Sequence, residues 1–433
     1  MKAVERIEGG GAFLFQGQVP GDKSVTHRSL LIGALGAGET IVRGPLRSAD
    51  TRATMGVLRA LGIALEDDGR DVRLVGGTLS DPTAPLDCAN SGTTARILLG
   101  VLAGRGVTAT LGGDASLSMR PMGRVVDPLR KMGASISYCQ DEGRLPLRVE
   151  AAELSGASHT LLVASAQVKS ALLLAGLAAR GRTVVVCPRP TRDHTERMLE
   201  AVGAPIRRLR HPGAGEAWEI RGPAEIRPLR SVDVPGDPSS AAFLWAAAAV
   251  TGGEASVRGV LLNPRRTGFL RFLEASGVRV EIRVTAEHPE RVGDVRVEGR
   301  PGGAVEITPE AVPDLIDELP LCAVVMALAP GRGRVTGAQE LRVKESDRIE
   351  VMTQGLRALG ADMTPTSDGW VIRGGRPLHG ASLDGKGDHR TVMALAVAAM
   401  AAQGESEVRG AEAADVSFPG FFAILRGGRA RSV

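Results

Sequence analysis

The sequence has few aromatic residues and no long apolar run. Aromatic side chains make up 3% of the 433 residues, and no basic stretch is interleaved with them. Binding of nucleic acid by base stacking is therefore not expected. Apolar runs such as residues 241–250 are too short to cross a membrane. The first six residues contain no apolar signal core, which favours a cytoplasmic location.

Cysteine is also scarce. The four cysteines are Cys88, Cys139, Cys187 and Cys322. They form no Cys-x-x-Cys pair and no cluster with histidine, so neither a zinc site nor a disulfide framework is indicated. We expect each of them to be a small buried apolar side chain and expect the protein to hold no metal ion.

Lysine is rare among the basic residues. Only six of the 53 basic residues are lysines, and the formal net charge of +4 is mild. A mildly basic protein with cations gathered in a cleft suits small anions better than a polyanion. Because arginine does not readily release a proton, lysine is expected where a compact charge or a proton donor matters. Lys23, Lys169, Lys344 and Lys386 lie in or beside the polar motifs described below.

A phrase of the form Leu-x-x-x-Gly recurs along the chain and ends at Gly62, Gly133, Gly203, Gly277 and Gly360. Each phrase is typical of an amphipathic helix closed by a C-terminal glycine. Strand-like runs follow each glycine, and an Ala/Leu-rich helix precedes each phrase. We therefore predict a repeating unit of helix, strand, helix and strand pair, over about 70 residues. This regularity disfavours the alternative, an ordinary doubly wound sheet.

The repeat predicts two domains of three units each. The pattern Val-Pro-Gly-Asp-x-Ser occurs at 19–24 and again at 234–239, which marks equivalent starts of the two halves. We assign residues 19–232 to one domain and residues 1–18 with 233–433 to the other.

The last unit is incomplete in sequence. A sixth unit begins at residues 418–425, and no strands follow it. Residues 13–18 could supply a missing strand, so the first and last parts of the chain are expected to share a domain.

The strongest local motif is Val-Pro-Gly-Asp-Lys-Ser-Val-Thr-His-Arg, from residue 19 to residue 28. A Pro-Gly turn leads into a helix that begins with Lys23 and Ser24, and Arg28 follows one helical turn later. Free backbone N–H groups, a hydroxyl and two cations would form an anion site. A nucleotide-binding P-loop is disfavoured because Asp22 interrupts its Gly-Lys-Ser sequence. The remaining alternative is a solvated helix start.

Further predicted helix starts combine hydroxyl groups with cations. They are the segments 87–96, 113–121, 163–170, 191–196 and 387–391. In segment 87–96, Arg96 is assigned to packing. In segment 113–121, Arg120 precedes a proline that is expected to initiate a helix. In segment 163–170, Ser165 is predicted to cap the helix, while Gln167 and Lys169 are predicted to reach outward. Each is weak alone, but several helix N-termini converging on a cleft would concentrate positive potential on an anion.

An acidic segment lies at residues 313–320. It places Asp317 and Glu318 in an otherwise apolar setting, next to a predicted helix at 321–329. Buried carboxylates cost stability unless they are paired, so a function is indicated for them.

A charged motif lies at residues 341–349. Here Lys344 and Arg348 are predicted to lie one helical turn apart, with Glu345 beside them. A cationic surround should keep Glu345 ionised. An exposed, salt-bridged helix start is the alternative.

Taken together, these motifs resemble the enolpyruvyl transferase family, and within it the second bacterial class of 5-enolpyruvylshikimate-3-phosphate synthases. The resemblance covers residues 19–420 and rests on Pro-Gly-Asp-Lys-Ser, Asn-Ser-Gly-Thr, Ser-Ala-Gln-Val-Lys, Ile-Asp-Glu-Leu-Pro, Lys-Glu-Ser-Asp-Arg and Asp-His-Arg. It implies an α/β fold: a two-domain inside-out α/β barrel, with three βαβαββ units around a pseudo-threefold axis in each domain. The active site would lie in the cleft between the domains, with the first domain binding mostly shikimate 3-phosphate.

The resemblance also implies which residues act. Those implied to bind shikimate 3-phosphate are Lys23, Ser24, Arg28, Ser165, Ala166, Gln167, Arg192, Asp317 and Lys344. Those implied to bind phosphoenolpyruvate are Lys23, Gly92, Arg120, Gln167, Arg348 and Arg390. The implied catalytic residues are Lys23, Asp317, Lys344 and Glu345. By the same resemblance, Lys169 would face the substrates.

The implied reaction transfers an enolpyruvyl group from phosphoenolpyruvate to the 5-hydroxyl of shikimate 3-phosphate, in the pathway to chorismate and the aromatic amino acids. It needs no cofactor. We expect a monomeric target of glyphosate that binds small anions and neither nucleic acid nor membranes. One rival is the sister enzyme acting on UDP-N-acetylglucosamine, disfavoured because residues 113–121 lack its loop cysteine. Another is a non-catalytic anion-binding protein on the same fold.

Overall fold

The computed structural model describes residues 3–213 and 215–428, in which short helices alternate with short strands. The strands are β1 (Val4–Glu8), β2 (Leu14–Gly17), β3 (Gly38–Arg43), β4 (Ala64–Asp67), β5 (Asp71–Gly76), β6 (Leu86–Asp87), β7 (Ala109–Gly112), β8 (Ser135–Tyr138), β9 (Leu147–Glu150), β10 (Ser158–Thr160), β11 (Gly181–Cys187), β12 (Ile206–Leu209), β13 (Glu216–Gly222), β14 (Arg230–Asp233), β15 (Glu254–Leu261), β16 (Arg279–Ala286), β17 (Val292–Glu298), β18 (Glu306–Ile307), β19 (Gly331–Val335), β20 (Asp362–Thr366), β21 (Gly369–Gly374), β22 (Ser382–Asp384) and β23 (Glu405–Arg409).

The α-helices are α1 (Lys23–Gly33), α2 (Ala49–Ala60), α3 (Gly92–Arg105), α4 (Ala115–Ser118), α5 (Gly123–Lys131), α6 (Ala166–Gly176), α7 (His194–Ala201), α8 (Pro238–Thr251), α9 (Gly268–Ala275), α10 (Val312–Leu315), α11 (Leu319–Leu328), α12 (Arg348–Ala358), α13 (His389–Met400) and α14 (Phe421–Gly427). Two 3₁₀ helices cover Gln339–Val343 and Ala411–Val416.

The chain divides into two compact units. Residues up to Pro20 and from Pro235 onward form one, which we call the discontinuous unit; Gly21–Val234 form the other, the continuous unit. Each has its own apolar interior.

One sheet pattern recurs in both units. In the sheet β6-β7-β9-β8, strand β6 runs parallel to β7, and β9 is antiparallel to both β7 and β8. The sheet β18-β19-β21-β20 has the same order and directions. The predicted repeat of helices and strand pairs, and the mixed α/β fold class, are confirmed.

The glycines that close the repeated phrases adopt the expected conformation. Gly62, Gly133, Gly203, Gly277 and Gly360 all have positive φ, between 78° and 101°. A side chain would be strained in this left-handed region, so glycine ends each helix and turns the chain into the next strand.

Strands from distant parts of the chain complete three of the sheets. β14 pairs in parallel with β3, and β2 pairs in parallel with β15. β1 pairs antiparallel with β23. The prediction that residues 13–18 complete the sixth unit is wrong, because β2 joins β15 and the strand that joins the sixth unit is β1. The sixth unit also begins earlier than expected, at β22, and residues 418–425 contribute to its second helix, α14.

The core lies between sheets and buried helices. All residues of α8 are buried, and so are those of α13. A helix that is buried on every side must be apolar on every side, which accounts for the Ala-rich sequence of α8. No helix within the described ranges combines the length and the apolar character that a bilayer span requires.

Three of the four cysteines are buried, as predicted. Burial raises the pKa of the Cys88 thiol and of the Cys187 thiol to about 12, and it raises that of Cys322. The prediction is wrong for Cys139, which is exposed. Cys139 directly follows β8, in the exposed turn towards β9.

Candidate active site

Helix α1 carries the first predicted cation. Its N-cap is Asp22, whose Oδ1 accepts a hydrogen bond from the Val25 N–H at 2.7 Å. Lys23 Nζ donates to Asp50 Oδ2 at 3.0 Å, and both side chains retain some exposure, 21% and 11%. The carboxylate of Asp50, in the first turn of α2, therefore holds the ammonium close to a helix start while leaving it accessible.

Arg28 joins three helices. Its side chain is buried, and its Nε donates to Thr195 Oγ1 of α7 at 2.7 Å. Its Nη2 donates to Ser170 Oγ of α6 at 3.0 Å, and its Nη1 to the Ser24 carbonyl at 3.2 Å. Two hydroxyl groups and a backbone carbonyl thus fix the orientation of the guanidinium.

Gly92 begins helix α3 beside two guanidinium groups. A Cβ at this position would lie 2.6 Å from Arg96 Nη1 and 3.5 Å from Arg120 Nη1. Arg120 Nη2 donates to Asn90 Oδ1 at 2.6 Å. A side chain at this position would displace the Arg96 guanidinium, so glycine lets a helix N-terminus and both arginines stay this close together, an arrangement suited to an anion.

Helix α6 begins with polar groups that contact α3. Ser165 caps it by accepting from the Val168 N–H at 3.4 Å, and Ala166 is its first residue. Gln167 accepts from Arg96 Nη1 at 3.0 Å and donates through Nε2 to Thr93 Oγ1 at 3.0 Å. Arg192 is half-buried and lies two residues before α7. The continuous unit thus brings together the starts of α3 and α6.

Arg348 is the centre of the charged cluster in the discontinuous unit. It is 2% exposed; Nε donates to Asp388 Oδ2 at 2.8 Å and Nη2 to Glu345 Oε2 at 2.7 Å. Burial alone would lower the pKa of Arg348, but the charges of Asp388 and Glu345 outweigh it and raise the pKa. Among the described residues Nη1 makes no hydrogen bond, and Asp317 Oδ1 is 3.9 Å away. This nitrogen can donate to a bound anion.

Asp388 links Arg348 to the start of α13. It caps that helix by accepting from the Arg390 N–H at 2.9 Å. Burial raises the pKa of Asp388, but the charges of Arg348 and His389, with the hydrogen bond from Arg348, together outweigh it and lower the pKa. The Arg390 guanidinium lies 3.9 Å from Glu318 Oε1 and 5.9 Å from the centre of the Phe243 ring. One carboxylate therefore positions both arginines.

Lys344 follows the 3₁₀ helix at Gln339–Val343 and is half-buried. Burial lowers its pKa, against the opposing effects of Asp317 and Glu340. Its ammonium therefore releases a proton more readily than that of an exposed lysine.

Comparison with known proteins decides the family. The family described as EPSP synthase (3-phosphoshikimate 1-carboxyvinyltransferase) matches residues 16–425. The chain belongs to the EPSP synthase family.

Individual relatives agree with this assignment. Proteins named 3-phosphoshikimate 1-carboxyvinyltransferase from Roseiflexus sp. (strain RS-1) and Acidithiobacillus ferrooxidans (strain ATCC 53993 / BNL-5-31) are each 46% identical to it. The first alignment covers 94% of this chain and 95% of the relative, and the second covers 94% of both. The structure of EPSP synthase from Acinetobacter baumannii superposes with a TM-score of 0.87 at 37% identity, covering 99% of this chain and 98% of that one.

Within this member of the EPSP synthase family, Lys169 lies elsewhere than its motif suggested. The expectation that it reaches outward towards substrate is wrong: its side chain is 0% exposed and forms ion pairs at 2.6 Å with both Glu196 and Glu216. The position of Lys169 on α6 does not predict this burial, because both carboxylates are distant from it in the chain.

Two further expectations need correction. Lys344 and Arg348 do not share a helical turn, because Lys344 precedes a non-helical stretch and Arg348 begins α12. Pro121 does not initiate a helix, since α5 begins at Gly123 with Met122 as its N-cap.

The sequence predicts a packing role for Arg96, and the structure adds a polar one. It is buried, and it holds Gln167 beside Gly92. The spacing of Arg96 from Gly92, one helical turn, was the available signal.

Proposed function

We propose that this chain transfers the enolpyruvyl group of phosphoenolpyruvate to the 5-hydroxyl of shikimate 3-phosphate, with release of phosphate. Membership of the EPSP synthase family supports this activity. In the structure, the observation that carries it is Arg348, a buried guanidinium that is oriented by two carboxylates and keeps a donor, Nη1, for a bound anion.

Phosphoenolpyruvate carries a phosphate and a carboxylate, which arginines bind with paired charge-assisted hydrogen bonds. We assign Arg348 and Arg390 of the discontinuous unit, and Arg120 of the continuous unit, to this substrate. The close approach of the Gly92 backbone to Arg96 and Arg120 supports a further anion contact there. Lys23 and Gln167 complete the proposed set.

Shikimate 3-phosphate requires a second set of contacts. We assign its phosphate to Ser165 and Arg192, at the starts of α6 and α7. The residues proposed to hold the rest of the molecule are Lys23, Ser24, Arg28, Ala166, Gln167, Asp317 and Lys344. The domain containing residues 19–232 is thus proposed to bind mostly this substrate, and residues 1–18 with 233–433 to form the other domain. Both domains are proposed to act on one pair of substrates.

The proton steps need a donor at C3 of phosphoenolpyruvate and an acceptor at the 5-hydroxyl. Glu345, in its protonated form, is assigned as the acid that protonates C3, which makes C2 electrophilic. The 5-hydroxyl then bonds to C2 while Asp317, or Lys23 in its neutral form, takes its proton. The resulting ketal loses phosphate from C2 and returns a proton from C3 to the Glu345 carboxylate, which restores the double bond. Lys344, whose pKa is lowered by burial, is suited to exchange protons with Glu345.

The test is phosphate release from phosphoenolpyruvate by the purified protein, with either shikimate 3-phosphate or UDP-N-acetylglucosamine as acceptor. We expect release with shikimate 3-phosphate alone. Glu345→Gln should lower kcat by about 10²–10⁴-fold, because it removes a general acid. The matched control is Glu350→Gln, the same change at an exposed position in the first turn of α12.

Each result has a distinct meaning. Release with the UDP sugar alone would assign the chain to the sister activity. No release with either acceptor at saturating substrates would leave a non-catalytic anion-binding protein. An equal loss of activity in Glu350→Gln would show that the effect of Glu345→Gln is not specific to Glu345.

A further inference from the structure

Lys169 forms a buried ion cluster with two carboxylates in the continuous unit. Its Nζ lies 2.6 Å from Glu196 Oε1 and 2.6 Å from Glu216 Oε1, and the side chains are 0%, 0% and 5% exposed. Burial alone would lower the pKa of Lys169, but the two carboxylates outweigh it and raise the pKa. The ammonium therefore stays charged, and it is too deeply buried to reach a substrate.

The Glu216 carboxylate also holds the chain segment before α7. Glu216 Oε1 accepts hydrogen bonds from the Thr191 N–H at 2.9 Å and from Thr191 Oγ1 at 3.1 Å. Thr191 is itself buried and is followed directly by Arg192. One oxygen of Glu216 thus connects Lys169 on α6 to the segment that carries Arg192.

A parallel connection runs through α7. Glu196, the second partner of Lys169, follows Thr195, whose hydroxyl contacts Ser170 Oγ at 2.7 Å and accepts from Arg28 Nε at 2.7 Å. Lys169 and Ser170 are neighbours on α6. The adjacent pairs 169–170 and 195–196 therefore fasten α6 to α7, and they fix Arg28 at the same junction.

We infer that Lys169 is a positioning residue for shikimate 3-phosphate: its ammonium holds Glu216 and Glu196 in place, and Glu216 then holds Thr191 so that Arg192 is aligned with the substrate phosphate. This inference rests on the proposed function, which assigns Arg192 to that phosphate. The inference explains why a lysine in the first turn of α6 keeps its charge away from the surface. It also explains why the fold bears the free-energy cost of burying three charged groups.

The test uses a matched pair of substitutions at the connecting hydroxyl. Thr191→Val keeps the shape of the side chain and removes the hydroxyl bond to Glu216 while leaving the backbone N–H bond, whereas Thr191→Ser keeps both. Calorimetric titration with shikimate 3-phosphate, without phosphoenolpyruvate, should show about fivefold to tenfold weaker binding for Thr191→Val and near-normal binding for Thr191→Ser. In steady-state assays KM for shikimate 3-phosphate should rise in Thr191→Val, while kcat and KM for phosphoenolpyruvate stay within about twofold.

A second variant tests Lys169 directly. The double substitution Lys169→Met with Glu196→Gln removes one charge of each sign, which avoids leaving an extra unpaired carboxylate. It should weaken shikimate 3-phosphate binding by more than Thr191→Val does. Val149→Ala, a cavity-creating change in the buried part of β9, is the control for general loosening of the same unit.

The outcomes are separable. If the unmodified chain does not bind shikimate 3-phosphate, the proposed function fails and the inference fails with it. If the unmodified chain binds normally and Thr191→Val does too, the inference alone is overturned. It is also overturned if Thr191→Ser or Val149→Ala weakens binding as much as Thr191→Val.

Discussion

At the scale of the residue, His27 shows how burial selects a protonation state. Its side chain is fully buried in α1, with Nδ1 2.7 Å from Thr54 Oγ1. Thr54 contacts Thr94, which donates to the α3 cap Ser91. Burial lowers the pKa of His27 from 6.5 to about 3, so the imidazole is neutral in the folded protein. This neutral ring therefore connects α1 to the start of α3.

A pH dependence of stability follows. As pH falls below 6.5, the unfolded chain binds a proton at His27 and the folded chain does not until about pH 3. Stability is therefore lost progressively on acidification, by about 1.4 kcal/mol per pH unit in this window. Between about pH 7 and pH 5 we expect the free energy of unfolding to fall by about 2 kcal/mol more in the unmodified chain than in His27→Gln, measured by urea denaturation.

The exposed His211 provides the control, because His211→Gln should retain the full acid sensitivity of the unmodified chain. If His27→Gln loses stability on acidification as steeply as the unmodified chain does, His27 is not the neutral group described here.

Single residues also mark the limit of sequence-based prediction. The motif containing Lys169 indicates a helix start, but the direction of the lysine side chain depends on Glu196 and Glu216, which approach α6 only in the folded unit. A helix start looks the same in sequence whether its lysine faces solvent or an internal carboxylate. Cys139 differs from the other cysteines for a similar reason, since a position in a hairpin turn is decided by the pairing of β8 with β9.

At the scale of the element, Asp388 is shared by α12 and α13. It caps α13 through the Arg390 N–H and receives Arg348 Nε from α12, at 2.9 Å and 2.8 Å. It also accepts from Ser346 Oγ at 3.1 Å. The relative placement of two helix starts, and of the arginine on each, therefore depends on one buried carboxylate.

We predict that Asp388→Asn weakens phosphoenolpyruvate binding. Asparagine is a good N-cap, so α13 should persist, but the charge that orients Arg348 is lost. KM for phosphoenolpyruvate should rise about tenfold, and KM for shikimate 3-phosphate should change less. Asp347→Asn is the matched control, because Asp347 caps α12 through the Glu350 N–H and retains considerable exposure. An unchanged KM for phosphoenolpyruvate in Asp388→Asn would contradict the shared role.

Elements were predicted well where their signal is local. The cap Ser165 and the closing glycines lie where the motifs indicate, and Ser91 caps a helix within the predicted start at 87–96, because caps and left-handed turns depend on a few adjacent residues. The partner of β2 is predicted wrongly, and the pairing of β1 is not predicted from the sequence. Both are short strands of alternating pattern near the chain start, and nothing within them specifies which distant edge, β23 or β15, each will join.

At the scale of the whole molecule, the two units differ in how the chain completes them. In the continuous unit, β14 closes the sheet that begins with β3, so its strand pairing is satisfied within residues 21–234. In the discontinuous unit, β1 and β2 come from the first 20 residues and pair with β23 and β15. Phe13 of the same segment is fully buried in that unit's core. The first segment is therefore structural for residues 235 onward.

The two units should consequently differ as isolated fragments. We predict that residues 21–234 fold alone and show a cooperative thermal transition, because no strand lacks its partner among the pairings described for this unit. Residues 235–433 alone should fail to show one, since β15 and β23 would each be left with an unpaired edge and the core would lack Phe13. Circular dichroism on heating separates these two outcomes.

The decisive control restores the missing segment without restoring the rest of the chain. A permuted fragment, in which residues 1–20 are joined by a flexible linker after residue 433, should recover the cooperative transition. The same linker followed by residues 1–20 with Phe13→Ala should recover it less fully, because a buried aromatic contributes about 3–5 kcal/mol. If residues 235–433 fold without the first segment, the pairing of β1 and β2 is peripheral to that unit, and the stability of the unit must come from the core around α8, α11 and α13.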